Sequence, residues 1–523
     1  MSHNYKMEQP GSYQGQAPYN GGQQQQYYDQ SQYPPPPNGT GYGQAYPPSG
    51  DYKMPLAPDG YQGERFEPQK PKFQDIPFAI LFILVFGGFV ATSVIALRGF
   101  SAKASDTVST SGGLATTLNG QTAVILMFSA AIALVLSLFY IFLVRTFTKI
   151  ILEVSLALSV ITSVAYCVYL WVKGQTAGAI VMTIFAVISV LAYWFMRKRI
   201  PLAKIILKSI IRAADEYKST YVLALFFLII QTAWSVWTVW TLIAVYQRFT
   251  PGAAGAGSSA SSSSRTGLVV LVIFAYYWTS ELIKALAYTS VSGVFGTWFY
   301  NASPNKVKGA AMSSLRRCLT YSFGSLCFGS LILAVLDIIR AILQIVQQQE
   351  SANGDMVGAV LACIAGCLVG CIDWAITFFN RLAYTNIALY GNSFVTASKE
   401  TWQLVKQKGI DALINDSLIN TVWTFGSYAI GLGCGIFAYA YLSISNPEYV
   451  QQDGSYFSVV ILFAVGLGLN IALALGAGTI GAGCTTMFVC LAEDSQVVAQ
   501  KDPELFEALR NAYPQVVHTV DHA

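Results

Sequence analysis

Ten apolar runs, each long enough to cross the roughly 30 Å hydrocarbon core of a bilayer as a helix, decide most of what this chain can fold into. They lie at about Ile76 to Leu97, Thr122 to Val144, Ile150 to Val172, Thr176 to Met196, Tyr221 to Tyr246, Leu268 to Val291, Leu319 to Ile345, Met356 to Phe379, Leu418 to Ile444 and Phe457 to Leu491. Inside lipid every backbone polar group must be paired internally, and continuous apolar runs do so as helices. Only 11% of the 523 residues are charged, against about 25% in soluble domains. The expected fold is an all-α polytopic membrane protein of about ten transmembrane helices.

Three regions follow from this pattern. Residues 1–72, rich in Tyr, Gln, Pro and Gly, hold too few aliphatic side chains to offset the entropy of ordering, so a disordered cytosolic tail is expected. Residues 73–492 form the transmembrane domain and 493–523 a cytosolic C-terminal tail. The beginning of the chain lacks the short apolar core of a cleavable signal peptide, which leaves targeting to the first span. The net charge of +4, with basic residues scattered between spans, gives no footprint for nucleic acid.

Orientation comes from the loops. With a cytosolic N-terminal tail, the inner loops carry seventeen Lys and Arg against five in the outer loops, which satisfies the positive-inside rule. Both termini are then cytosolic. The outer loops contain no Asn-x-Ser/Thr acceptor, so no N-glycan is expected. Two inner segments, Arg197 to Arg212 and Arg381 to Lys408, mix basic and apolar residues at helical spacing and are expected to lie in the membrane interface. Anionic lipid at Arg197, Lys198 and Arg199 is one reading, and ordinary positive-inside anchoring is the other.

Charge inside a span costs about 2.5 to 3.5 kcal/mol at a helix centre, so each such residue needs a partner or a role. Ser322, Ser325, Gly329, Asp337 and Arg340 share one stripe of the seventh span, which therefore faces protein or a water-filled cavity. Spacing predicts two pairs, Glu281 with Lys284 and Asp337 with Arg340. Glu153 and Asp373 have no evident local partner. The pairs either line a solute path, with Glu281 or Asp337 meeting a cation, or bridge helix to helix. Tyr277 lies beside Glu281 on the sixth span, and Trp234 and Trp237 share a face of the fifth. Such rings hold a quaternary ammonium at about 0.5 to 2 kcal/mol per contact, or else pack the core.

Nine cysteines, most of them in apolar runs, predict no structural disulfide. Cys363, Cys367 and Cys371 with Gly366 and Gly370 read as close helix packing and not as a metal site. The tenth run is too long, because a helix from Phe457 to Leu491 would reach roughly 50 Å. Its glycines, Gly476, Gly478 and Gly481 among them, mark an expected break or hinge, with a gently kinked helix as the alternative. The only histidines are His3, His518 and His522, outside every span, and no P-loop is present. No catalytic constellation or cofactor site emerges.

Four segments in order carry a family resemblance: SVSGVFGTWFY (Ser290 to Tyr300), RRCLTYSFGSLCFGSLILAVLDIIR (Arg316 to Arg340), NRLAYTNIALYGNSF (Asn380 to Phe394) and CLAEDSQVVAQKDPELFEALRNAYPQ (Cys490 to Gln515). The chain resembles the choline transporter-like family, and its ending the fungal pH-nine-sensitive branch. The resemblance implies a multi-pass plasma-membrane protein and, as substrate class, choline and related amines. The short loop from Arg98 to Gln121, which has no cysteine, departs from the long first outer loop of the animal members. The expected function is facilitative alternating access for a small organic cation such as choline. Two rivals remain, a non-transporting scaffold working through the tail and a protein that moves lipid.

Overall fold

The structure is a computed structural model that describes residues 72–101, 120–174, 176–198, 200–249, 262–301, 307–353, 356–445, 455–493 and 502–512. The expected tail over 1–72 lies almost wholly outside them. The described elements are helices: α1 (Ile76–Ser101), α2 (Gly120–Thr146), α3 (Thr148–Val172), α4 (Thr176–Arg197), α5 (Ile200–Glu216), α6 (Ser219–Phe249), α7 (Ser262–Tyr300), α8 (Ala310–Leu319), α9 (Phe323–Asn353), α10 (Met356–Tyr390), α11 (Phe394–Ser445), α12 (Ser455–Leu473), a π-helical segment Ala474–Gly481, α13 (Ala482–Glu493) and α14 (Pro503–Ala512). Over the described residues, nine stretches are long and apolar enough to cross a membrane. The remaining expected span is α4, whose 22 residues rise about 33 Å but whose described apolar part is shorter, Met182–Arg197.

The protein is an all-α polytopic membrane protein, and α7 is its central element. This 39-residue helix packs against α1, α6, α8, α9, α10 and α13. Small residues let neighbours come close to it. Ser314 Oγ of α8 donates to the Ser290 carbonyl at 2.8 Å, beside Gly293. A second group, α2 with α11 and α12, packs on the flank of the first, and α3 pairs with α4.

Four expectations are corrected. The seventh run, Leu319 to Ile345, is not one helix, because the chain breaks at Thr320 (φ −109°, ψ −80°) between α8 and α9. The stripe on the second part survives. Ser325 and Gly329 are buried, while Asp337 and Arg340 are half-buried. The basic segment from Arg381 onward is no interfacial helix. It completes α10, turns at Gly391 in the left-handed region (φ 71°) and restarts as α11. Glycine is the residue that ends a helix this way at little steric cost. Asn386 and Asn392 both donate to Glu400 Oε2 at 2.9 Å and tie the turn together.

The third correction concerns α5. Its periodicity is strongly amphipathic, as expected, but protein and not lipid covers its apolar face. Ile200, Ile206, Leu207, Ile210 and Ile211 are at most 2% exposed, against α3, α7, α11, α13 and the π segment. Lys208, Arg212 and Lys218 remain outside. Asp502, at the start of α14, accepts from Ser209 Oγ at 2.7 Å and pairs with Arg212 at 3.5 Å, which docks the C-terminal helix on α5. The fourth concerns Gly366 and Gly370, whose added Cβ atoms would meet nothing within 4 Å. Among the described residues they form no packing seam. Cys371 is exposed, and the side chains of Cys363 and Cys367 lie outside the described set.

Cys318 shows what enclosure does to a thiol. Burial pushes its pKa up, against the opposing influence of Ser290, Arg317 and Ser314. Little of it is thiolate near neutrality, so it resists alkylation.

Candidate functional site

Charged side chains from three spans, α7, α9 and α10, come within electrostatic range of one another. On α7, Lys284 Nζ donates to Glu281 Oε1 at 2.6 Å, the i,i+3 pair that spacing predicts. The two ends differ in exposure. Glu281 is 12% exposed and Lys284 63%, so the lysine side chain is the more accessible member of the pair. Asp337 of α9 is within electrostatic range of Glu281, Lys284, Asp373 and Arg340.

The second predicted pair is corrected. Arg340 Nη2 donates to Asp373 Oδ2 of α10 at 2.5 Å, across the helix interface, and not to its neighbour Asp337. That contact also supplies the partner that Asp373 lacked in the sequence. Three carboxylates and two cations leave the cluster a formal charge of −1. Glu281, Asp337 and Asp373 all fall well inside their spans Arg265–Tyr300, Phe323–Val346 and Ile364–Tyr390. Glu153 likewise has a local partner, Lys149 at 3.9 Å, but both are exposed on the flank and belong to no site.

The bridge between Arg340 and Asp373 gives a direct test of the corrected pairing. Arg340→Gln is expected to destabilise the solubilised protein more with Asp373 intact than with Asp373→Asn, a coupling of about 1 kcal/mol for so incompletely buried a pair. The same cycle with Asp337→Asn should return a smaller value. Equal couplings in thermal-unfolding measurements would return Arg340 to Asp337.

Aromatic residues surround the cluster unevenly. Tyr277 is half-buried and within electrostatic range of Asp337. Tyr384 of α10 is 4% exposed, lies within range of Glu281, and its hydroxyl has no hydrogen-bond partner among the described residues. Trp234 and Trp237 stand against α1, and the Trp234 indole also donates to the Tyr276 carbonyl, next to Tyr277, at 3.4 Å. Trp234 stacks on Phe86 with centroids 5.7 Å apart and leans on Phe89 at 4.6 Å. The indole of Trp237 donates to Ser93 Oγ at 2.7 Å. These two rings seat α6 on α1, with Trp234 buried and Trp237 partly open.

The glycine-rich run is neither broken nor simply kinked. It continues through Ala474–Gly481 as a π-helix, in which Thr479 Oγ1 donates to the Ala474 carbonyl at 3.3 Å. Such segments are rare in helices and recur at functional sites. Gly476 packs directly on the indole of Trp423, and Tyr140, Ser427 and Gly476 line a narrow crevice there. Gly478 and Gly481 are less constrained, since the nearest atoms to their added Cβ lie at 3.6 and 3.7 Å.

One residue escaped sequence reasoning. Asp75, just before α1, has φ 52° and accepts two hydrogen bonds with Oδ2, from Ser325 Oγ at 2.7 Å and from the Phe394 amide at 2.8 Å. The signal was present in Asp75-Ile76-Pro77, a cap followed by an early helical proline. That pattern announces a helix start, but nothing in it says that the carboxylate caps a different helix.

Comparison with known proteins places this arrangement. Residues 180–496 match the family model described as plasma-membrane choline transporter. A Protein PNS1 of Mycosarcoma maydis is 54% identical over 473 residues, covering 90% of this chain and 89% of its own. Proteins of the same name from Cryptococcus neoformans and Candida albicans are 41% and 33% identical, covering 88% and 90% of this chain and 85% and 93% of their own. With a family model over more than half of it and relatives of this identity over most of its length, the chain belongs to the choline transporter-like family of multi-pass membrane proteins, among its fungal members.

Proposed function

We propose that this protein is a facilitative transporter of a small organic cation such as choline, placed in the plasma membrane with both termini in the cytosol. The observation that carries the reading is the five-charge cluster of formal charge −1 well inside three adjacent spans. Such charges are costly in a membrane and mark solute paths when they converge. Glu281 and Asp337 are the counter-charges, Tyr277 offers a ring face, and the outlying Lys284 swings aside as the cation enters. Arg340 and Asp373 hold α9 to α10 at the edge of the site. Trp234 and Trp237 form the wall that fixes α1 beside it.

The cycle is alternating access, with the π segment around Gly476, Gly478 and Gly481 as its hinge. An inside-negative potential favours entry of a monovalent cation by about 2.3 kcal/mol per 100 mV, so uptake needs no coupling ion. Arg197 and Lys198, both exposed, are placed to meet anionic head groups; Arg199 lies outside the described residues.

Radiolabelled choline uptake into proteoliposomes tests the reading. Saturable uptake that rises with an imposed inside-negative potential and vanishes when it is collapsed is the expected result. Folded, correctly reconstituted protein that moves no choline under either condition would remove choline as substrate. Scrambling of labelled lipid by the same vesicles would favour lipid movement instead.

A further inference from the structure

The segment before α1 is bound into the starts of two other helices more closely than a linker needs. The Gln74 amide donates to the Tyr321 carbonyl at 3.1 Å, and the rings of Phe73 and Tyr321 lie 5.1 Å apart. Gly324 approaches the backbone of Gln74 and Asp75 so closely that an added Cβ would lie 2.7 Å from the Asp75 carbonyl carbon. The Asp75 carboxylate then joins Ser325 of α9 to the first amide of α11. A carboxylate is favoured at a helix start, where amides are unpaired and the dipole is positive. Asp75 adopts the left-handed conformation that lets it reach there, one that Asp tolerates better than most residues.

Directly behind this joint stands a layer of rings. Phe78 stacks on Phe328 with centroids 4.0 Å apart, Phe328 lies 5.1 Å from Phe394, and Phe394 lies 6.3 Å from Tyr384. Tyr384 in turn faces Glu281. From one end of the bundle to the charge cluster the order is carboxylate joint, ring layer, then site. By the positive-inside reading, that end is the cytosolic one.

We propose that Asp75 is the latch of a cytosolic gate: its carboxylate clamps α1 to the starts of α9 and α11 and holds the ring layer of Phe78, Phe328 and Phe394 closed beneath the charge cluster. Opening towards the cytosol breaks the bonds to Ser325 and Phe394 and frees α1 to move away. The assignment of a gate rests on the transport reading, but the closure itself is testable without any substrate.

Cys327 is a native reporter. It is fully buried within one turn of Ser325 and lies within electrostatic range of Tyr384. Alkylation of each cysteine by N-ethylmaleimide in nanodiscs, followed by peptide mass spectrometry, compares the full-length protein with Asp75→Ala and Asp75→Asn. The Ala variant is expected to raise the Cys327 rate at least tenfold, with Asn, which keeps one acceptor, in between. Cys434 and Cys484, buried on the helices Phe394–Ser445 and Ala482–Glu493 far along the chain from the joint, should stay slow. An unchanged Cys327 rate overturns the latch. So does a parallel rise at all three cysteines, because the carboxylate would then hold the fold and not a gate. Failure of choline uptake by the parent protein would leave this result standing and count against the transport reading alone.

Discussion

Glu281→Gln is expected to cut the efficiency of cation uptake at least 30-fold while leaving the amount of protein in the membrane near normal. The substitution is nearly isosteric and takes the cluster from a formal charge of −1 to 0. It also leaves the Lys284 ammonium, 2.6 Å away, without its partner and facing the incoming cation. Glu281 is the buried end of its pair, and the attraction of a buried carboxylate for a bound monovalent cation is worth about 2 kcal/mol or more at an effective dielectric near 20, which corresponds to about 30-fold. The loss should appear mainly as a raised KM, because the charge acts on binding. Asp337→Asn should act in the same direction but less strongly, since Asp337 has no direct ion pair with the lysine. Normal uptake by Glu281→Gln at equal surface abundance would remove the cluster from the substrate path.

Gly324→Ala is expected to lower the thermal-unfolding midpoint of the solubilised protein by several degrees, although alanine favours helices over glycine by about 0.5 to 1 kcal/mol. The reason is geometric. The new methyl would enter the space of the Gln74 and Asp75 backbone, and main chain cannot rotate away as a side-chain tip can. Overpacking of this kind costs about 1 to 3 kcal/mol. Gly466→Ala is the control, because nothing lies within 4 Å of its added Cβ, and there the midpoint should hold or rise. Equal behaviour of the two variants would mean that the approach of the two backbones at Gly324 is not a real constraint.

Much of the fold was legible because the bilayer leaves so few choices: a long apolar run must be a helix. Local spacing revealed the contact of Glu281 with Lys284, three residues away on one helix. It misassigned Arg340, because the partner that won, Asp373, belongs to a different helix and pairing across an interface leaves no mark in local spacing. The glycines at 476, 478 and 481 located the irregular segment, yet not its π-helical winding. Asp75 was hidden for a related reason, since its donors are 250 and 319 positions further along the chain. Amphipathic periodicity in α5 gave the buried face correctly. Periodicity cannot say whether lipid or protein covers that face.

The burial of α5 also sets an order of assembly. Ile210 rests against Gly483, and a chain made at about 5 to 20 residues per second reaches Gly483 roughly a quarter of a minute to a minute after Ile210. Until then the apolar side of α5 has no partner in the last span. A helix with one apolar and one basic side can wait on the bilayer surface meanwhile. The lipid interface is thus its nursery and the protein interior its destination, and the last helices synthesised lift it from one to the other.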